Sequence, residues 1–280
     1  MSDRTSVRSR RRWVVALALL VLVALGAVLA PWLAPIDPNF QGDVVANRFL
    51  APGTIGLDGA VHLLGTDRLG RDVWSRLLYG ARVSLLVGTL ATAVALTVGT
   101  LIGGVAALAG RPVRVLLLGV TDFTLAVPRV VLLLLLAAVW QPSAELVVLT
   151  LGLTGWMPIA RLVYAESSAQ LGRPYVESAV ALGARPSRVF LRHLLPHATG
   201  PVLAAATLGL GNAITLEAGL SFLGLGVQPP QASWGSLIAS GRETVVNAPW
   251  VGLAPGLALV LVVIACTIVA DDLGHEHPHA

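Results

Sequence analysis

Three ionisable residues stand inside otherwise apolar stretches: Asp122, Arg129 and Glu217. A charge in hydrocarbon is costly, so each is expected to face a partner group or a water-filled path. Asp122 and Arg129 are seven residues apart. On a straight helix that spacing shares one face but leaves about 10 Å along the axis, too far for a direct bond. These residues suit either pairing at subunit contacts or the lining of a water-filled path. Glu217 falls toward the C-terminal end of its stretch.

A second group gathers in one polar segment: Glu177, Ser178, Ala179, Gly183, Ala184, Arg185, Arg188, Leu195 and Pro196. Residues 175–183 are helix-compatible, and Gly183 suits a C-terminal stop. Pro186 biases Arg185 away from the helical region. A second helix can then start with Ser187 as N-cap and run to Leu195, with Pro196 after it. Two short helices at a turn make a compact knob. Its small residues let another protein come close, and Arg185, Arg188 and Arg192 can pair with acidic groups there. The alternative is an amphipathic loop lying on the inner leaflet.

Other chemistry is excluded more firmly. All 19 basic residues are arginine, and no lysine occurs. A P-loop nucleotidase has no phosphate-binding lysine here, and a Schiff-base enzyme has no amine. Nucleotide energy, if used, must come from another chain. Cys266 is the one cysteine, so neither an intrachain disulfide nor a cysteine zinc site can form. There is no Ser-His-Asp triad, His-Glu-x-x-His motif or glycine-rich phosphate loop. The tail His275-Glu-His-Pro-His279 invites a metal reading. It falls on the cytoplasmic side, where it could not capture external metal, and reads as an incidental tail. No metal, cofactor or catalytic residue is expected. The isoelectric point near 10.2 does not imply nucleic acid, because the arginines are scattered between apolar runs.

The elements that must position these residues are membrane spans. Of the 280 residues, 55% are apolar and 12% charged, about half the share of a soluble domain. Mean hydropathy is +0.79. A span needs about 20 apolar residues. Six candidates appear, at 13–35, 83–110, 113–140, 146–160 (extending through Leu162 and Val163), 193–216 and 244–270. The first follows a basic segment, as a signal peptide would. Its apolar run is too long, however, and Pro31 and Pro35 spoil the cleavage sites. With the N-terminus inside, twelve arginines fall inside and six outside, which puts both ends in the cytoplasm. Trp13, Trp32, Trp140 and Trp250 fall near span ends, where such rings prefer to sit.

The resulting plan is all-α and polytopic. It has a cytoplasmic tail (1–12), a first helix (13–35), an external loop (36–82), a five-helix core (83–270) with a cytoplasmic loop (164–197), and a cytoplasmic tail (271–280). Within the external loop, residues 71–82 read as an interfacial helix. Its apolar face carries Val73, Trp74, Leu77, Leu78 and Ala81, and its polar face an Asp72–Arg76 pair. That helix suits plain packing or contact with an external partner. Gly99 and Gly103 permit close helix contact. Gly152, Gly155 and Pro158 suggest a bend in the fourth span. Residues 224–247 read as an external segment rich in glycine and proline.

The cytoplasmic loop resembles the coupling loop of ATP-binding-cassette importer permeases. The family pattern is Glu-Ala-Ala, three residues, Gly, nine residues, an apolar position, then Leu-Pro after one more residue. Glu177-Ser178-Ala179, Gly183 and Leu195-Pro196 stand at that spacing. The chain departs at Ser178, for alanine, and at His193, for an apolar residue. Residues 64–76, continuing to Leu85, and residues 220–230 with Ser233-Trp234-Gly235 resemble the second permease subunit of dipeptide, oligopeptide and nickel importers. The resemblance spans about residues 13–270 and includes Asp122 and Pro128. The C-terminus departs from the family's Gly-Asp-Gly-Leu-Arg-Asp ending.

The resemblance implies a type I importer-permease fold of six transmembrane helices in the inner (plasma) membrane. It implies a second homologous permease, two cytoplasmic ATPase subunits that hydrolyse ATP, and an external binding protein. Peptides are the implied solute, with nickel or other small solutes as relatives. Beyond these subunits the contacts would be membrane lipid and no nucleic acid. The rival is an ion- or proton-driven secondary transporter using Asp122 and Glu217, though such proteins usually carry inverted repeats and none is visible. A membrane-embedded enzyme, the third reading, lacks a catalytic constellation.

Overall fold

A computed structural model describes residues 2–57 and 59–275. Asp58 and the histidine-rich tail beyond His275 lie outside the described residues. The chain starts with α1 (Ser2–Val28) and a single turn, α2 (Ala30–Leu33). A hairpin of two-residue strands follows, β1 (Thr54–Ile55) against β2 (Val61–His62), antiparallel with Thr54 opposite His62. Then come α3 (Val73–Leu108), α4 (Arg111–Leu125), α5 (Arg129–Val139), α6 (Ala144–Leu171), α7 (Pro174–Ala181) and α8 (Pro186–Val189). A π turn (Phe190–Leu194) leads into α9 (Leu195–Phe222), α10 (Trp234–Glu243) and α11 (Trp250–His275).

Five helical segments are long and apolar enough to cross a bilayer. Taken as one span, the pair α4 and α5, bent by 80° at the intervening residues, brings the number to six and is third in chain order. Pro128 causes the break: it has no N–H for a helical bond and restricts the residue before it. Asp122 and Arg129 therefore do not share a straight helical face, as their spacing suggested. They lie on either side of the bend.

Packing centres on α3, which touches α1, α6, α9 and α10. Gly99 and Gly103 let α6 approach closely, as their spacing foretold. A Cβ at Gly103 would stand 2.5 Å from the Ala160 carbonyl oxygen and 2.8 Å from Val163 Cβ. One core joins Ala95, Trp156, Met157, Ala160, Val163 and Val202. Another joins Ile214, Trp234, Val262 and Cys266 across α9, α10 and α11. Apolar residues such as Leu101, Leu116, Phe123 and Leu257 lie exposed on the outside.

Several expectations are corrected. Residues 71–82 are not a separate interfacial helix. They open α3, whose 36 residues run unbroken for about 54 Å, well beyond a bilayer core of about 30 Å. Nor is the face bearing Asp72, Ser75 and Arg76 solvated; all three are buried, because residues 37–72 fold over it. The Asp72–Arg76 pair is replaced by other partners. The Asp72 carboxylate caps α3, accepting from Ser75 N and Oγ at 2.7 Å, and its other oxygen meets His62 Nδ1 at 2.9 Å. Arg76 donates to the Pro38 carbonyl at 3.2 Å. Asp67 takes Arg71 at 2.7 Å.

The basic N-terminal segment is helical and continuous with the first span. That span ends at Val28, where α2 takes over with Pro31 in its first turn. The fourth span reaches Leu171 with Pro158 inside a continuous helix. The sixth begins at Trp250, just after Pro249. The glycine- and proline-rich segment 224–247 holds α10, started by a capping box in which Ser233 and Ser236 bond reciprocally.

Candidate functional site

The knob is built as two helices on a small core. Val176, Val189 and Leu194 are enclosed, with Leu108, Leu171, Ala184 and Phe190 packed against them. Helix α7 ends as the sequence suggested. Gly183 takes φ +82°, its N–H bonds Val180 O at 2.9 Å, and Ala184 N–H reaches back to Ala179 O at 3.0 Å. These are the paired closing bonds of a Schellman cap, whose left-handed residue favours glycine.

The second helix differs from expectation at both ends. Arg185 is the N-cap and Pro186 follows in the first turn, so Ser187 is already helical. Pro196 does not terminate the helix. Ahead of it, Leu195 N–H bonds Phe190 O, five residues back, in the π turn. The wider turn resets the ladder, so Pro196 falls in the first turn of α9, where its missing N–H costs little. Residues Pro186–Phe222 thus form one helical unit of 37 residues.

The outer surface of the knob is mixed. Glu177, Ser178, Arg185, Arg188 and Pro196 are exposed, while Ala179, Ala184 and Leu195 are half-buried. Leu182 is 89% exposed, and Val180 and Leu191 lie open as well. Arg185, Arg188 and Arg192 border a shallow depression with Leu191. The sequence reading missed how the knob is tied down. Phe190 packs against Gly104 of α3, where a Cβ would stand 2.5 Å from the ring. Tyr175 stacks on His197 at 5.6 Å between ring centroids and donates to Gln170 Oε1 at 3.0 Å. No motif marks these contacts; only tertiary packing brings them together.

The three intramembrane charges do not meet. Asp122 accepts from Arg161 of α6, with Nε to Oδ1 at 2.8 Å, which ties the third span to α6. Arg161 had counted only as an orienting charge. Glu217 is fully buried. Its two oxygens accept from Ser84 at 2.9 Å and Ser221 at 2.7 Å. Trp234 N–H then donates to Ser84 at 3.1 Å, and Ser233 to Ser221 at 3.3 Å. Glu217 therefore joins α3, α9 and the start of α10.

Arg129 is placed differently. It borders a cavity of about 320 Å³ between α3, α6 and α9. The walls are mostly small and apolar, including Ala91, Ala95, Gly155 and Ala205, with Thr92 and Asn212 as polar members. No spacing in the sequence marked Thr92 or Asn212. Among the described residues there is no cluster of three metal-ligating side chains.

The comparisons with known proteins agree with this architecture. The family described as "Binding-protein-dependent transport system inner membrane component" matches residues 64–273. The description "N-terminal TM domain of oligopeptide transport permease C" matches residues 6–52. The dipeptide transport system permease protein DppC of Escherichia coli K12 is 38% identical over 93% of this chain and 86% of its own. The di/tripeptide transport system permease protein DppC of Pseudomonas aeruginosa is 36% identical, over 92% and 84% respectively. A structure of the MetNI methionine ABC transporter in an inward-facing conformation shares the fold. Its TM-score is 0.59 at 18% identity, covering 71% of this chain and 94% of that one. Knob, spans and sequence agree in one conclusion: the chain belongs to the family of binding-protein-dependent transport system inner membrane components.

Proposed function

We propose that this chain is the permease subunit of an ATP-driven importer, forming half of a translocation path for di- or oligopeptides or a related small solute. The observation that carries the reading is the knob, anchored on α3 through Phe190 and Gly104 and continuous with the fifth span. Its exposed Leu182 and Leu191, its arginines and its glycine-closed cap suit a groove on another protein. Peptide transport is named for the dipeptide permease relatives and comes to this chain by that likeness.

In this reading a second, related permease completes the path. Two cytoplasmic ATPases hydrolyse ATP, and an external binding protein delivers solute. Both termini are cytoplasmic and the chain sits in the inner (plasma) membrane. It binds no cofactor of its own and makes no covalent change in the solute. Closure of the ATPases pushes Glu177–Pro196, α9 carries the motion, and the path opens outward. After hydrolysis it closes. Arg129 faces the path, Asp122 braces the third span, and Glu217 holds the outer bundle together. The proton-driven rival gains nothing from Asp122 and Glu217, since both are engaged by neighbouring side chains.

Gly183→Leu tests the coupling role. Nothing lies within 4 Å of its Cβ position, so the chain itself would not clash. The left-handed backbone costs about 1–2 kcal/mol with a side chain, a local penalty. The variant should insert normally but fail to co-purify with the ATPases. Normal transport would overturn the assignment.

A further inference from the structure

The cavity beside Arg129 lies about halfway through the membrane. Asn212 is ten residues before the outer end of α9, or about 15 Å along the axis. Gly155 is eleven residues after the outer start of α6, or about 17 Å. Two helices thus place the cavity near the middle of a core about 30 Å thick.

The cavity's charge is one-sided. Arg129 is its one ionisable lining residue among the described residues. It makes no ion pair with any described residue. The two carboxylates that could have balanced it are turned elsewhere: Asp122 to Arg161, and Glu217 to Ser84 and Ser221. Thr92 adds a hydroxyl that is buried and has no hydrogen-bond partner. An unpaired cation and an unsatisfied hydroxyl are expensive in such a place unless a ligand meets them. The guanidinium fork matches a carboxylate in particular.

We propose that Arg129, with Thr92 and Asn212, forms a mid-membrane station for the terminal carboxylate of the solute. The proposal rests on the importer reading and narrows it. The station serves the anionic end of a peptide and offers nothing to its amino end, which must be met by the partner permease or by water. It also repels a free metal cation, so it favours a peptide over nickel as the solute. The station must hold weakly, since passage requires release.

The test uses the complete importer in proteoliposomes, with ATP inside. Alanyl-alanine and its C-terminal amide are each supplied as the complex with the binding protein. Arg129→Gln should slow alanyl-alanine about tenfold, the effect of losing one charged hydrogen bond, and should not slow the amide. Arg129→Lys should keep most of the preference. All variants should keep the partner permease. Equal slowing of acid and amide would overturn the proposal, as would loss of the partner permease from Arg129→Gln complexes, which would assign Arg129 to the subunit interface. Wild-type vesicles that import neither form would instead overturn the peptide reading itself, and the carboxylate station with it.

Discussion

Replacing Gly104 with alanine should loosen the knob from the bundle without touching the knob's outer surface. The added Cβ would meet Phe190 at 2.5, 2.6 and 2.9 Å, all on the far edge of the ring. Carbon atoms rest at about 3.5–4.0 Å, so the ring must retreat by about 1 Å. Phe190 packs in two clusters at once, one within the bundle and one within the knob. It cannot retreat without disturbing both. Overpacking of this kind costs about 1–3 kcal/mol. Phe190→Ala removes the obstacle and leaves a void instead. In the double variant the clash is gone, so the two effects should not add, with a coupling of at least about 1 kcal/mol. Two measurements read this: the thermal midpoint of the purified complex, and solute imported per ATP hydrolysed. Gly104→Ala should lower both while the ATPases still co-purify, and adding Phe190→Ala should recover part of the loss. A silent Gly104→Ala, or strictly additive effects, would refute the idea that this contact links knob to bundle.

Two further predictions concern the intramembrane charges. Asp122→Asn should destabilise the complex, and the exchange Asp122→Arg with Arg161→Asp should restore it, measured as detergent-resistant assembly; no recovery would dissociate the pair from the bracing of the third span. Glu217→Gln should remain close to wild type in thermal midpoint and in ATP-driven uptake, because an amide still accepts from one serine. Glu217→Leu leaves Ser84 and Ser221 without their acceptor, at about 1–3 kcal/mol for each buried polar group, and should unfold at lower temperature. Abolished uptake in a stably assembled Glu217→Gln complex would argue for proton movement through this residue.

The spans were legible because a long apolar run carries its own signature. Gly183 was legible because a left-handed cap needs a glycine and an apolar helix precedes it. Hydropathy could not say that residues 73–82 extend a span rather than lie on the leaflet. An amphipathic stretch looks the same whether its polar face meets water or a folded loop. Here that loop supplies Asp67, His62 and the Pro38 carbonyl, all distant in sequence from Arg76. Pro128 breaks the helix between Asp122 and Arg129, whereas their spacing was read as if the helix were straight. Pro196 was read as a stop because a π turn leaves no mark in sequence. Of the candidate path residues, Arg129 reaches the central cavity, whereas Asp122 and Glu217 are occupied by Arg161 and by serines. Arg161, Ser84, Ser221, Thr92 and Asn212 belong to no local pattern, and only the packing of α3, α6 and α9 makes them neighbours.

The unbroken helix from Pro186 to Phe222 has a mechanical consequence. In the proposed orientation it is a lever with one arm in the cytoplasm and the other near the outer surface. With 37 residues it is about 55 Å long, so a tilt of about 5° moves its far tip by about 5 Å. At that tip Glu217 holds Ser84 and Ser221, and through these two serines the start of α10. A displacement imposed at the base would pass the π turn and Pro201 before it reaches a latch of hydrogen bonds near the far end of the helix. The latch, rather than the knob, would set how large a push is needed before the outer end gives way.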